Sequence, residues 1–172
     1  MLGKLKKNLV FLGMMGSGKS SIGNLVSKKL NIKFIDVDNI IEDMMGMSIS
    51  SIFQEKGEEY FRNLEEKITL KNLKLDGNII ALGGGGFINE KIRKEILNNH
   101  LSFWLTWEDS IIIKRIKGSK KRPLAMELSD HELKQLIKKR SKIYQKAKFK
   151  INCNKQTKTE IVKKIIKIYE SN

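Results

Sequence analysis

With 172 residues, 40% of them apolar, the chain is long enough to bury a core and too hydrophobic to read as disordered. Its 34 lysines and arginines against 19 acids leave a net charge of +15, which suits an anionic ligand, although most lysines fall in stretches that read as solvated helix faces, such as LKQLIKKRSKIYQKAK. No apolar run approaches the roughly 20 residues that cross a bilayer, the opening MLGKLKKNLVFLG runs into glycines rather than a cleavage site, and Cys153 as the single cysteine allows no internal disulfide, so a cytoplasmic protein is expected.

The first apolar run, NLVFL at 8–12, reads as a buried strand. It meets GMMGSGKSS, Gly13 to Ser21, which opens into the amphipathic IGNLVSKKL, a helix expected over 18–30. Gly13-x-x-x-x-Gly18-Lys19-Ser20 is the P-loop pattern between the strand and helix it requires. Glycines let successive backbone N–H groups curl around phosphate oxygens, and the helix N-terminus adds positive potential. Gly16, Ser17, Gly18, Lys19, Ser20 and Ser21 are thus placed against a nucleoside triphosphate, with Lys19 reaching the β- and γ-phosphates and Ser20 offering a hydroxyl to Mg²⁺.

KFIDV, at 33–37, is the second strand, and Asp36 and Asp38 stand at its carboxyl end, where open α/β sheets bind ligands. Two acids there divide naturally into one for the metal's hydration shell and one for the proton of an attacking hydroxyl. A strand-end turn capping a helix gives the same residues. Helices are expected near 39–46, 48–56 and 58–75. In EEYFRNLEE, Arg62 and Glu65 are three apart and share a face, so Glu65 is placed to aim Arg62 at a carboxylate, with Phe53 and Phe61 as walls.

NIIAL, at 78–82, ends in four glycines, Gly83 to Gly86, more than a turn needs, which points to backbone packed directly against a ligand. A helix near 89–98, the strand LSFWL at 101–105 and a helix near 108–117 follow. The only proline, Pro123, sits in the basic KGSKKRPLAM, a stretch suited to a mobile loop that carries Arg122 toward γ-phosphate charge. A helix over 129–147 carries Arg140 in RSKIY, and the strand FKINC at 149–153 and a helix over 158–170 complete the chain. Strands alternating with helices predict a parallel sheet covered on both faces.

Together GMMGSGKSS, FIDVD, EEYFRNLEE, ALGGGG, KRPL and RSKIYQKA resemble shikimate kinase, in family order and over nearly the whole chain. The resemblance implies one domain with the three-layer P-loop kinase fold of the nucleoside monophosphate kinases. Its five-stranded parallel sheet has the order 2-3-1-4-5, the acceptor region lies about 36–65, and a lid lies about 116–126. It implies ATP-dependent phosphorylation of the 3-hydroxyl of shikimate, a step toward the aromatic amino acids, with ATP and Mg²⁺ as cofactors. By position, Asp38, Arg62, Gly83, Gly84, Gly85 and Arg140 match shikimate-binding residues, and Asp38 also the proposed base. Ser20 and Asp36 match the metal side, Lys19 and Arg122 the residues on phosphate charge, and Arg115 a nucleotide contact. After the last strand the family commonly has a proline-bearing loop near adenine, whereas this chain reads NCNKQTKTE, which leaves Lys155 and Gln156 as the adenine-side residues. A monomer with a small-molecule substrate, and no nucleic-acid or membrane partner, is expected. The rivals are another small-metabolite kinase, such as a gluconate kinase, and a nucleic-acid-binding ATPase suggested only by the charge.

Overall fold

The computed structural model describes residues 7–119, 125 and 127–172. The order along the chain is β1 (Leu9–Leu12), α1 (Lys19–Leu30), β2 (Phe34–Asp36), α2 (Val37–Met45), α3 (Ile49–Leu73), β3 (Ile79–Ala81), a 3₁₀ turn (Gly86–Ile88), α4 (Glu90–Asn99) and β4 (Leu101–Thr106). Then come α5 (Asp109–Lys117), α6 (Asp130–Tyr144), β5 (Phe149–Asn152) and α7 (Lys158–Glu170). All strand pairs are parallel and the sheet runs β2-β3-β1-β4-β5, the expected order.

Strand β1 is central and buried along its length, as its unbroken apolar run requires when helices cover both faces. Its side chains alternate between two cores. Val10 and Leu12 join Ile41 of α2, Phe61 of α3, Ile96 of α4 and Leu133 of α6 on one face. Leu9 and Phe11 join Val26 of α1 and Ile161 and Ile165 of α7 on the other. No helix among the described residues is long and apolar enough to cross a membrane.

Several boundaries shift from the sequence expectation, and the structure shows the reason for two of them. Helix α2 begins at Val37 rather than 39, because the Asp36 carboxylate accepts from the N–H groups of Asp38 (3.1 Å) and Asn39 (3.4 Å) and caps it. Asp38 therefore stands in a first helical turn, not on the strand end. Within α3 the two helices expected there are both present, separated at the expected gap by Gly57 (φ 83, ψ 166), whose non-helical conformation suits glycine and kinks the chain. Helix α6 stops at Tyr144, short of 147, because the chain turns at once into β5, with the Ala147 N–H donating to the Tyr144 carbonyl at 2.9 Å.

At the amino end of the sheet, fully buried Asn8 ties four elements together. Its Nδ2 donates to the Leu73 carbonyl (2.9 Å), its Oδ1 accepts from the Asn78 N–H (2.9 Å), and its own N–H donates to His100 Nδ1 (3.3 Å). Leaving any of these groups buried without its partner costs about 1–3 kcal/mol. Burial pushes the His100 imidazole below its ordinary pKa, with Glu95 and Asp76 opposing the shift.

Candidate active site

The carboxyl ends of β1, β2 and β3 converge on two adjoining cavities. The first lies over the glycine loop. Gly13, Gly16 and Gly18 take φ of 139, 78 and 89, which lets the loop curl between β1 and α1. The carbonyls of this curl are engaged by donors. Lys19 Nζ donates to those of Gly13 (3.0 Å) and Met14 (2.9 Å), Arg115 Nη1 to that of Gly16 (3.2 Å), and Trp107 Nε1 to that of Ser17 (2.9 Å). Helix α1 has no side-chain cap at Gly18, so its N-terminus is suited to meet an anion instead.

This cavity, about 320 Å³, is lined by Gly16, Gly18, Lys19, Ser20 and Ser21, with Asp36, Asp38 and Arg115 around them. Ser17 is not in the lining; its side chain is buried and its Oγ makes no hydrogen bond among the described residues. Gln156 is also outside the lining. It lies in the turn after β5, where its Nε2 donates to the Asn152 carbonyl at 2.6 Å. Lys155, in the same turn, takes a positive φ of 55. Cys153 is buried, and burial pushes its thiol up to about 11, so it offers no nucleophile.

The second cavity, about 300 Å³, is lined by Asp38, Phe53, Phe61, Arg62, Glu65 and Arg140, with Gly84 and Gly85 at its floor. Arg62 is held from two sides, by Glu65 at 2.7 Å and by Glu58 at 3.3 Å. Its guanidinium lies 5.1 Å from the Phe61 ring centre and 5.7 Å from that of Phe53. Burial would lower the Arg62 pKa, but Glu65 and then Glu58 outweigh it, so the pKa is raised and the guanidinium stays charged. Arg140 presents a buried Nη1 with no hydrogen bond among the described residues, an orphan donor at the edge of a cavity suited to an anion.

The glycine run makes room for this set. A Cβ on Gly83 would lie 2.5 Å from Asp38 Oδ1 and 2.6 Å from Glu65 Oε1, and one on Gly85 would overlap the Arg62 guanidinium. The run packs directly, as expected, but against the side chains of the site. The Tyr144 hydroxyl donates to the Gly84 carbonyl and holds the run from α6, one turn beyond Arg140.

Sequence reading did not single out Trp107, Tyr144 or the role of Met15. Trp107 follows LSFWLT and looks like more of that strand; its signal was an aromatic at a strand's carboxyl end, where ligands collect. Tyr144 lay in the quoted RSKIY, four residues from Arg140 and so on the same helix face. Met15 lines both cavities and Met14 is buried against Tyr144, which accounts for two methionines in the loop. Of the stretch expected as a lid, Ile116 and Lys117 end α5. Residues 120–124 and 126, with Arg122 and Pro123, lie outside the described residues. Lys117 pairs with Asp130, the first residue of α6, and so joins the flanks of that stretch.

The shikimate kinase family model matches residues 15–170 of the chain. The shikimate kinase of Thermodesulfovibrio yellowstonii is 39% identical over 165 residues, covering 95% of each chain. That of Sulfurihydrogenibium sp. is 37% identical over 160 residues, covering 93% of this chain and 96% of its own. Among solved structures, shikimate kinase from Acinetobacter baumannii in complex with shikimate superposes with a TM-score of 0.91 at 26% identity, covering 98% of this chain and 96% of that one. The Aquifex aeolicus shikimate kinase gives 0.85 at 36% identity, covering 96% and 97%. A gluconokinase from Sinorhizobium meliloti gives 0.56 at 15% identity, a likeness of fold alone. Sequence match over nearly the whole length, the sheet order and the paired cavities agree: the chain belongs to the shikimate kinase family.

Proposed function

We propose that the chain transfers the γ-phosphate of ATP to the 3-hydroxyl of shikimate, giving ADP and shikimate 3-phosphate. The observation that carries the reading is the adjacency of a glycine-loop cavity to a small cavity holding two arginines and an aspartate, with Met15 and Asp38 lining both. A phosphoryl group held by the loop then faces an acceptor hydroxyl across a single wall, and positioning supplies most of the catalysis.

Arg140 anchors the substrate carboxylate with its uncommitted buried nitrogen, and Arg62, held by Glu65 and Glu58, adds a second charge. Gly84 and Gly85 form the floor, and Gly83 seats Asp38 beside it. Asp38 orients the attacking hydroxyl and accepts its proton. Lys19, fixed at the loop by two carbonyls, meets charge developing on the transferred group. Arg122 is assigned the same task from the lid, and Arg115 the nucleotide side. Ser20 and Asp36 suit Mg²⁺, being oxygen donors on one cavity. Among the described residues no three acidic, histidine or cysteine side chains gather as a cage, and Mg²⁺ is commonly held by few protein oxygens together with phosphates. When bound, the ion neutralises phosphate charge.

The reading includes a single-domain, monomeric, cytoplasmic enzyme, as expected from the sequence. A nucleic-acid ATPase would use exposed aromatic platforms, and among the described residues Tyr60 alone is an aromatic with large exposure. The deciding experiment is coupled ADP release with shikimate, gluconate, nucleoside monophosphates and single-stranded DNA as acceptors or activators. Turnover dependent on shikimate alone is expected; preference for any other would overturn the reading.

A further inference from the structure

We infer that Trp107 is a positioning residue for nucleotide binding, acting through Arg115 and through the Ser17 carbonyl of the glycine loop. The inference rests on the kinase reading above and deepens it.

Two consecutive carbonyls of the loop, those of Gly16 and Ser17, are taken by Arg115 Nη1 at 3.2 Å and Trp107 Nε1 at 2.9 Å. The two donors also hold each other, since the Arg115 guanidinium carbon lies 3.9 Å from the centre of the Trp107 ring. The indole thus lies against the guanidinium while each binds the loop. Trp107 is itself fixed. It is half-buried and packs against both hydrophobic cores, at the junction of the sheet's two faces. Its turn is pinned from the turn that follows β5, because the Glu108 N–H donates to Asn154 Oδ1 at 2.9 Å.

Arg115 is exposed on α5, where a long cationic side chain would ordinarily sample many rotamers. Stacking on the indole orders it before any ligand arrives, and Arg115 lines the loop cavity. Pre-ordering a contact residue raises affinity by removing that entropy loss from the binding step. The indole N–H acts on the other partner. It donates only, and it satisfies a carbonyl that must stay turned outward if the loop is to keep its curl. A tryptophan serving only to fill space needs neither contact.

The test measures the dissociation constants of ADP and of shikimate separately, by calorimetry on the full chain, for Trp107→Leu, Trp107→Phe, Arg115→Ala and the Trp107→Leu/Arg115→Ala pair. Trp107→Leu loses the stack and the hydrogen bond and should weaken ADP roughly tenfold, with shikimate changed less than about twofold. Trp107→Phe keeps a ring under Arg115 but loses the N–H, and should weaken ADP about threefold. With Arg115 already alanine, Trp107→Leu should cost only what Trp107→Phe costs alone, because the stacking share has no partner. An equal effect of Trp107→Leu with and without Arg115, equal weakening of ADP and shikimate, or unchanged ADP binding overturns the inference. If Trp107→Leu does not fold, the threefold, ADP-selective loss in Trp107→Phe decides it. Failure of the unsubstituted chain to bind ADP and shikimate overturns the kinase reading and the inference together. Normal binding of both, with ADP indifferent to Trp107, overturns the inference alone.

Discussion

Gly83→Ala should damage the cavity proposed to bind the acid, while Gly86→Ala, three residues on in the same run, should not. The backbone of Gly83 has no positive φ, so alanine meets no conformational strain there, only crowding. Its Cβ would stand 2.5 Å from Asp38 Oδ1 and 2.6 Å from Glu65 Oε1, where 3.0 Å is about the closest approach real Cβ atoms make. Each oxygen must retreat by about half an ångström. Glu65 is 2% exposed and holds Arg62 at 2.7 Å, so it retreats only by loosening that pair. Overpacking of this kind costs about 1–3 kcal/mol. Restricting the unfolded chain returns about 0.4–1 kcal/mol in both variants. At Gly86 the added Cβ meets Leu82 Cβ at 3.4 Å and Glu65 Oε1 at 3.6 Å, ordinary contact distances. Shikimate affinity measured by calorimetry without nucleotide should therefore fall roughly tenfold or more in Gly83→Ala and stay within about twofold in Gly86→Ala. Urea titration of both checks that the fold survives. A folded Gly83→Ala that binds shikimate as the unsubstituted chain does would refute the idea that missing side chains make room for the charged groups.

Lys19→Ala should nearly abolish turnover while the chain still folds, with some loss of urea stability because the Gly13 and Met14 carbonyls lose their donor; near-normal kcat would remove Lys19 from the reacting charge. Arg62→Lys should already weaken shikimate, since a point charge cannot keep Glu58, Glu65 and a substrate carboxylate together, and an unchanged Kd would take Arg62 out of the site. Asp38→Asn should lower kcat by about 10²–10⁴. Asp36→Asn, which still caps α2, should instead raise the Mg²⁺ needed for half-maximal rate; rescue of the first and not the second by Mg²⁺ would reverse the assignment. His100 has a folded pKa below its unfolded value of about 6.5, so its contribution is complete above that value and is lost as pH falls from there through the lower folded pKa. Urea stability should drop more steeply on mild acidification in the parent than in His100→Gln, and identical slopes would contradict this.

Most of the fold was legible because its signals are local. A continuous apolar run marks a central parallel strand, and the glycine pattern between strand and helix has few other uses. The start of α2 was misjudged because the Asp36 side chain, rather than a hydrophobic period, decides where that helix begins, and the same carboxylate lines the loop cavity. The Arg62–Glu65 pair and the glycine run were each legible as features that face a ligand, since spacing on a helix and excess glycine are both visible in one dimension; the family resemblance is what placed Arg62 and the glycines in one site. Their mutual packing was not legible, because the Gly83 contacts join residues far apart in sequence. Trp107 escaped for the same reason: its partners lie at Ser17 and Arg115, and nothing in LSFWLTW points to either.

Met15 and Asp38, lining both cavities, also bear on what happens when only one ligand has arrived. With nucleotide in place and no acid, the space in front of Asp38 is open to water as a rival acceptor, so slow idle hydrolysis of the triphosphate is the expected consequence. Arrival of the acid should expel that water, so the acceptor is expected to suppress the hydrolysis. Because one wall serves both tenants, any ordering of Met15 by the first is inherited by the second, and the gain is equal whichever enters first.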